Sequence, residues 1–290
     1  MKKILLFLLI LSISIVAYSN INLEKAEEFM EKEDFKSAEP YYKKAVEDGS
    51  IDAMLNLGII YDTQLNFKEA EKYLLKASEL GSENGIVRLV FLYMAQDKLD
   101  KAEKYAKKAI EKGSISGLIS LGSVYMAQEK YDLAEKYFKL SIEKGDADGV
   151  SVLGSLYMIE GRYDLAEPYL KQGIENGHSK AANNLGILYF YKKDMIQAEK
   201  YLKYSIDTYN DEDSIIALAF LYKDQKKYDL AEKYLRKAVE NDDVEGLYGL
   251  GVIFKDQGKY EDAKYYANLA LKKNHPKAGN ILMELKMLGY

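Results

Sequence analysis

The sequence predicts an all-α protein, an α/α superhelical solenoid of stacked helix hairpins, and three observations carry that prediction. Alanine recurs at Ala38, Ala70, Ala102, Ala134, Ala166, Ala198, Ala231 and Ala263, at a spacing of 32 residues with a single step of 33. A tyrosine stands three residues after each of them, from Tyr41 and Tyr73 to Tyr234 and Tyr266. A second aromatic series, Tyr61, Tyr93, Tyr125, Tyr157, Tyr189, Tyr222 and Phe254, has a leucine four residues before every member. A fixed period of this length marks stacked repeats, in which no unit can bury its apolar face alone.

Each unit reads as two helices. In the first, Ala53, Leu57, Ile60 and Tyr61 fall on one stripe at helical spacing; in the second, Ala70, Tyr73, Leu74 and Ala77 do. Gly49, Gly81, Gly113, Gly145 and Gly177 follow the second helix, replaced later by Asp242 and Asn274, and these residue types tolerate a left-handed helix stop. Asp100, Asp132, Asp164 and Asp229 each precede a glutamate by three, which reads as a helix-start box. Glu103/Lys107, Glu135/Lys139, Glu167/Lys171, Glu199/Lys203 and Glu232/Arg236 are oppositely charged pairs four apart in the favourable order. Pro40 and Pro168 are expected near the first turn of their helices. Gly58 and Ala70 are expected to let two helices approach, with tyrosine filling the gap beside them. The count is eight hairpins over residues 22–273 and a lone capping helix at 276–288. The first unit is atypical, with Lys25 where leucine is expected.

The N-terminus has its own pattern. Met1-Lys2-Lys3 is basic, Ile4 to Val16 is an apolar run, and Ala17 and Ser19 are small residues three and one before a cut at Ser19/Asn20. This predicts a cleavable signal peptide over 1–19, a repeat domain over 20–290, and an exported protein, periplasmic or secreted. The run is short for a span of about 20 residues, and no other segment is apolar enough to cross a bilayer.

Composition removes several classes. A net charge of −5 without a basic block argues against nucleic acid and against anionic membrane surfaces. The absence of cysteine removes disulfides, thiol catalysis and zinc-thiolate sites. His178 and His275 are the only histidines and lie in different units, no phosphate-binding glycine loop is present, and no serine has an adjacent histidine base. The acidic run Asp207, Asn210, Asp211, Glu212, Asp213 reads as a solvated loop, because the ligand spacing of calcium loops is missing. Fourteen of the 26 tyrosines occupy the two repeat positions, so core packing accounts for most of them. No catalytic residue, metal site or cofactor is expected.

The segment Leu57-Gly58-Ile59-Ile60-Tyr61, followed by Ala70 and Ala77, resembles the tetratricopeptide repeat. Ala70-Glu71-Lys72-Tyr73-Leu74-Leu75-Lys76-Ala77, followed by Gly81 and Gly85, is similar to the related Sel-one-like repeat. The 32-residue unit is shorter than either usual form and lacks the helix-ending proline. The resemblance covers nearly all of 22–290 and implies that the first helices line a concave surface.

Counting 100° per residue from Leu57, the opposite face of the first helices is mostly apolar. It carries Leu55, Ile59, Val87, Phe91, Met94, Ile119, Met126, Met158, Ile187, Phe190, Ile216 and Phe220. These are the candidate protein-binding residues for an extended or helical apolar segment, with Met94, Met126 and Met158 as adaptable contacts. The competing reading is that neighbouring first helices bury the stripe against each other. The outer face of the second helices is instead lysine-rich, as in Lys72, Lys104, Lys136, Lys200 and Lys233. Acidic C-terminal peptides, which the family holds with lysine and asparagine, do not suit Leu55, Ile59, Val87, Phe91 and Ile119. The functional expectation is a non-catalytic scaffold of the cell envelope or exterior that grips a protein or peptide partner. Two alternatives stand beside it: an accessory activator of a cell-wall enzyme, or a hydrolase of Sel-one-like type; and a structural repeat protein that self-associates.

Overall fold

The computed structural model describes residues 21–290 except Glu33, so the signal segment expected at 1–19 lies outside the described residues. The described chain is helical with no strand. Two compact units divide it, 1–146 and 147–290. The first holds α1 (21–30), α2 (Phe35–Glu47), α3 (Ile51–Thr63), α4 (Phe67–Glu79), α5 (Glu83–Ala95), α6 (Leu99–Glu111), α7 (Ser116–Ala127) and α8 (Tyr131–Glu143). The second holds α9 (Asp148–Ile159), α10 (Tyr163–Glu175), α11 (Ser179–Tyr191), α12 (Met195–Tyr209), α13 (Glu212–Asp224), α14 (Tyr228–Glu240), α15 (Val244–Asp256), α16 (Tyr260–Lys272) and α17 (Ala278–Met287). The all-α hairpin solenoid read from the sequence is the fold.

Packing follows the repeat. The recurring stripe residues Leu57, Leu89, Leu153, Leu185 and Leu218 are fully buried, each contributing roughly 1.5–3 kcal/mol of apolar burial. The two aromatic series meet inside each hairpin. Tyr61 lies against Tyr73 at 5.8 Å between ring centroids, Tyr93 against Tyr105 at 5.4 Å, Tyr189 against Tyr201 at 5.5 Å and Phe254 against Tyr266 at 5.5 Å. Within the first unit α3 packs on α5 and α5 on α7; within the second α9 packs on α11, α11 on α13, α13 on α15 and α15 on α17. Second helices meet first helices, so the first helices line the more tightly spaced inner side of each unit.

The helix stops are as expected: Gly49, Gly81, Gly113, Gly145 and Gly177 have φ between 83° and 90°, and Asp242 and Asn274 have φ 63°. A second left-handed position was not foreseen. It lies in the turn inside each hairpin and falls on Leu65, Asp97, Glu129, Lys193 and Lys226, with φ between 56° and 62°, while Gly161 and Gly258 hold the same place.

Three sequence expectations change. The helix-start boxes are not caps: the residues at those N-caps are Lys98, Lys130, Arg162 and Lys227, none of which makes a side-chain cap bond. Asp100, Asp132, Asp164 and Asp229 sit inside the first turn, where they still face the positive end of the helix. Side-chain caps occur instead at Asp34, Ser50, Asn66, Ser82, Asp194 and Asp243. Pro40 and Pro168 lie one turn further in than expected, inside α2 and α10, where each removes a donor from the helix ladder. Gly58 makes room for Leu74 rather than for a tyrosine: a β-carbon there would stand 2.5 Å from Leu74 Cδ2. Gly122 stands in the same way under Phe138, and Gly186 under Leu202.

Candidate functional site

The five predicted intrahelical charge pairs all form, at 2.6–2.7 Å. Five of the glutamates at this repeat position have a partner that lies in the next hairpin. Tyr61 Oη donates to Glu39 at 2.7 Å, Tyr93 to Glu71 at 2.6 Å, Tyr125 to Glu103 at 3.3 Å, Tyr189 to Glu167 at 2.8 Å and Tyr222 to Glu199 at 2.9 Å. Glu39, Glu103, Glu167 and Glu199 are each held from one side by a lysine of their own helix and from the other by the next first helix, whereas Glu71 is held by Tyr93 and, at 3.7 Å, by Lys101, both of the next hairpin. Lys192 adds a third contact to Glu167, at 2.8 Å. Hydrogen bonds from Lys171 and Lys192 hold the Glu167 carboxyl down at about 2, against the opposing cost of burial. Glu39, Glu103 and Glu199 are lowered for the same reason, with Lys43, Lys107 and Lys203 as the leading donors. Burial, then the bond to the glutamate, raises the hydroxyl pKa of Tyr61, Tyr93, Tyr189 and Tyr222. Sequence reasoning missed this latch, although the repeated offset from glutamate to tyrosine, 22 residues and 23 across the longer repeat, was its signal.

These junctions fix the spacing of the first helices and hence of the residues they present inward. In the first unit α3 carries Leu55 and Ile59, α5 carries Val87, Phe91 and Met94, and α7 carries Ile119 and Met126. In the second unit α9 carries Met158, α11 carries Ile187 and Phe190, and α13 carries Ile216 and Phe220. None of the twelve is fully buried, and eleven are half-buried. Phe91 stands out at 48% exposed. Neighbouring first helices therefore shield part of this face and leave part open. Phe190 and Ile216 also pack against the core of the second unit, and the Lys223 ammonium lies 5.8 Å from the centre of the Phe220 ring. Asp62, among the inner residues of α3, has its carboxyl raised by burial, which the charge of Arg88 opposes.

Both histidines and part of the acidic run have partners within the fold. His275 is buried, stacked on Tyr248 at 4.3 Å, with Nε2 2.9 Å from Glu245 Oε2. His178 Nδ1 lies 3.4 Å from Asp148. In the acidic run, Asp211 accepts hydrogen bonds from Ser205 at 2.9 Å and Ser214 at 2.5 Å, and Glu212 accepts one from Asn241. Among the described residues no cluster of His, Cys, Asp or Glu has the arrangement of a metal site, and no helix is long and apolar enough to cross a membrane.

Stacked two-helix repeats with an open inner face define a helical solenoid of the class that scaffolds contacts between proteins. Tetratricopeptide repeat models match residues 23–84 and 216–279, 118–149 and 151–176. The chain belongs to the tetratricopeptide repeat family. Among solved structures it is similar to yeast Tom70, with a TM-score of 0.70 and 17% identity over 89% of this chain and 60% of that one. It is similar to a tetratricopeptide repeat protein from Parabacteroides merdae, with a TM-score of 0.59 and 18% identity over 82% and 98% of the two chains. It is also similar to PilW, a type IV pilus biogenesis factor, with a TM-score of 0.56 and 18% identity over 69% and 98%. At these identities the likeness is one of fold. No curated protein matches the sequence.

Proposed function

We propose that the protein is a non-catalytic scaffold, exported to the envelope or exterior, that holds a partner polypeptide against the inner faces of its first helices. The observation that carries this reading is the contrast between the two kinds of helix. The first helices offer rows of partly exposed apolar residues with Phe91 at the most open point, whereas Lys72, Lys104, Lys136, Lys200 and Lys233 on the second helices are solvated. Apolar surface held in a regular row suits a polypeptide segment, whose side chains fill successive gaps between helices. Export is supported by the basic start and apolar run of residues 1–16.

The test is affinity capture from envelope and culture fractions. The parent is compared with a variant carrying Phe91→Asp, Met94→Asp and Met126→Asp, both showing the same helical circular dichroism. A protein kept by the parent and lost by the variant supports the reading. Equal retention on both sinks the inner face as the binding surface. N-terminal sequencing of exported protein should begin at Asn20; a mature chain that keeps Met1 would refute cleavage.

A further inference from the structure

The turns inside the hairpins are near copies of one another, so a departure at one of them stands out against its own internal controls. Three departures meet around one cleft of about 460 Å³ in the second unit, lined by Gly161, Arg162, Tyr163, Asp164, Leu165 and Lys192. Gly161 leaves out the side chain that Leu65, Glu129 and Lys193 carry at the same register position. Lys192 stands in register with Gln64, Gln96, Gln128, Gln225 and Gln257. Tyr191 is the aromatic residue of a register position that holds Thr63, Ala95, Ala127 and Asp224 elsewhere. Its ring stacks on Tyr163, the wall of the cleft, with centroids 5.5 Å apart and planes 6° from parallel. At that separation the rings are slipped rather than superposed, and Tyr191 stays 57% exposed. A cleft of about 350 Å³ at Lys226–Leu230 has Tyr228 in the place of Tyr163, but the next turn supplies Asp256 in the place of Tyr191.

We propose that the cleft at Tyr163 is a saccharide-binding site, taking a β-linked pyranose ring with equatorial hydroxyls. Its volume falls within the range of small-ligand sites, roughly 300–1,000 Å³. Such a ring presents C–H bonds on flat faces and hydroxyls around its rim. The weakly positive C–H bonds pack on the negative π faces of the tyrosine pair. Hydroxyls donate and accept at once, and the cleft supplies both complements. Lys192 Nζ donates to Asp164 Oδ1 and Glu167 Oε2, each at 2.8 Å, which leaves the third of an ammonium's donors for a sugar oxygen. Asp164, with its side chain 96% exposed, keeps acceptor sites beyond the one Lys192 takes. Arg162 is held by Glu160 at 3.1 Å and lies over the Tyr157 ring, so that wall is fixed. The charges select this occupant. Basic Arg162 and Lys192 are balanced by Glu160 and Asp164, so no net field draws a polyanion or an anionic bilayer. An apolar segment or acyl chain would strip water from Asp164 without replacing it, whereas hydroxyls replace it bond for bond. The site lies at the turns, apart from the inner-face residues, and does not rest on the scaffold reading.

The experiment titrates the full chain, its tyrosines carbon-13 labelled, with cellotetraose and separately with chitotetraose, following the ring signals by NMR. Tyr163→Phe and Tyr191→Phe assign the two rings. One of the sugars should move the signals of Tyr163 and Tyr191 with a Kd in about the millimolar range, and Tyr228 should not respond. Tyr191→Ala with Lys192→Gln gives this turn the Ala-Gln of residues 127–128; it should keep the parent's circular dichroism and bind at least about tenfold more weakly. Asp164→Asn changes only an exposed side chain and should weaken binding too, so its result stands even where the double variant folds poorly. No movement with either sugar up to about 10 mM, an equal response at Tyr228, or variants that bind as well as the parent would each overturn the proposal. So would tyrosine signals that answer to anionic phospholipid vesicles and to neither sugar.

Discussion

A substitution of Gly122 by alanine tests whether the hairpin interior is set by matched sizes sixteen residues apart. The added β-carbon would lie 2.5 Å from Phe138 Cε1 and 2.7 Å from Cδ1. Carbon atoms rest at about 3.5–4.0 Å, so the ring must retreat by about 1 Å. Phe138 is fully buried and has little room to do so. Overpacking of this kind costs about 1–3 kcal/mol, while alanine returns about 1 kcal/mol of helix propensity over glycine. The net expectation is a loss of about 0–2 kcal/mol. The protein itself supplies the compensated version: the third hairpin carries Val90 and Ala106 at the same two register positions, both fully buried. Phe138→Ala alone should cost about 3–5 kcal/mol through the cavity it leaves. Combined with Gly122→Val, which refills that space from the other helix, the cost should fall below the sum of the two single losses by about 1–3 kcal/mol. Urea unfolding followed by circular dichroism reads the cycle. Stacked repeats unfold piecewise, so hydrogen exchange on α7 and α8 supplies the local free energy. Additive losses, or a Gly122→Ala variant stabilised by its full propensity gain, would refute the size-matching argument.

Other outcomes follow from features already described. Glu129→Gly and Lys193→Gly should each raise the melting temperature, since an L-residue held left-handed costs about 1–2 kcal/mol that glycine avoids, less the entropy glycine adds to the unfolded chain. Gly161→Ala, at the same register position, should lower it; the opposite ranking would contradict the turn assignment. Glu167 has a folded pKa of about 2, below its unfolded value, so its stabilising contribution is complete above the ordinary carboxylate range and is lost as pH falls toward 2. Glu167→Gln should therefore be less stable than the parent at neutral pH, by about 1 kcal/mol once solvent screening is allowed for, and the gap should close in acid titrations followed by circular dichroism. A gap that widens on acidification would reverse the assigned sign. Tyr189→Phe should cost about 0.5–1.5 kcal/mol by urea unfolding, the net value of one hydrogen bond, and no loss would show the junction to be packing alone.

Much of this architecture is legible in the sequence because period and pattern are local. Apolar stripes, charge pairs four apart and glycine stops each report on a single helix or its end, and all three hold. What was missed depends on backbone angles or on contact between hairpins. The aspartates of the supposed boxes lie two residues too late, since the turn before α6 places Lys98 at the N-cap with φ −92° and ψ 59°. The left-handed turn was hidden because most units put Leu65, Asp97 or Glu129 there and only Gly161 and Gly258 advertise it. The glutamate–tyrosine latch joins residues whose partnership becomes visible only when one hairpin is laid on the next. The inner face was counted from a helical wheel; its partial shielding by neighbouring first helices is a property of the stack.

The latch also bears on how a chain of this kind changes length. Each 32-residue segment brings the tyrosine for the junction behind it and the glutamate for the junction ahead. An in-frame duplication or deletion of one whole period therefore leaves every remaining joint complete, wherever in the period the cut falls. The tail departs from this interchangeability, because Phe254 has no hydroxyl to donate and Lys264 stands where the glutamate belongs. Growth by copying internal units preserves the fold, whereas a copy of the final unit inserted upstream would leave two joints without their bond.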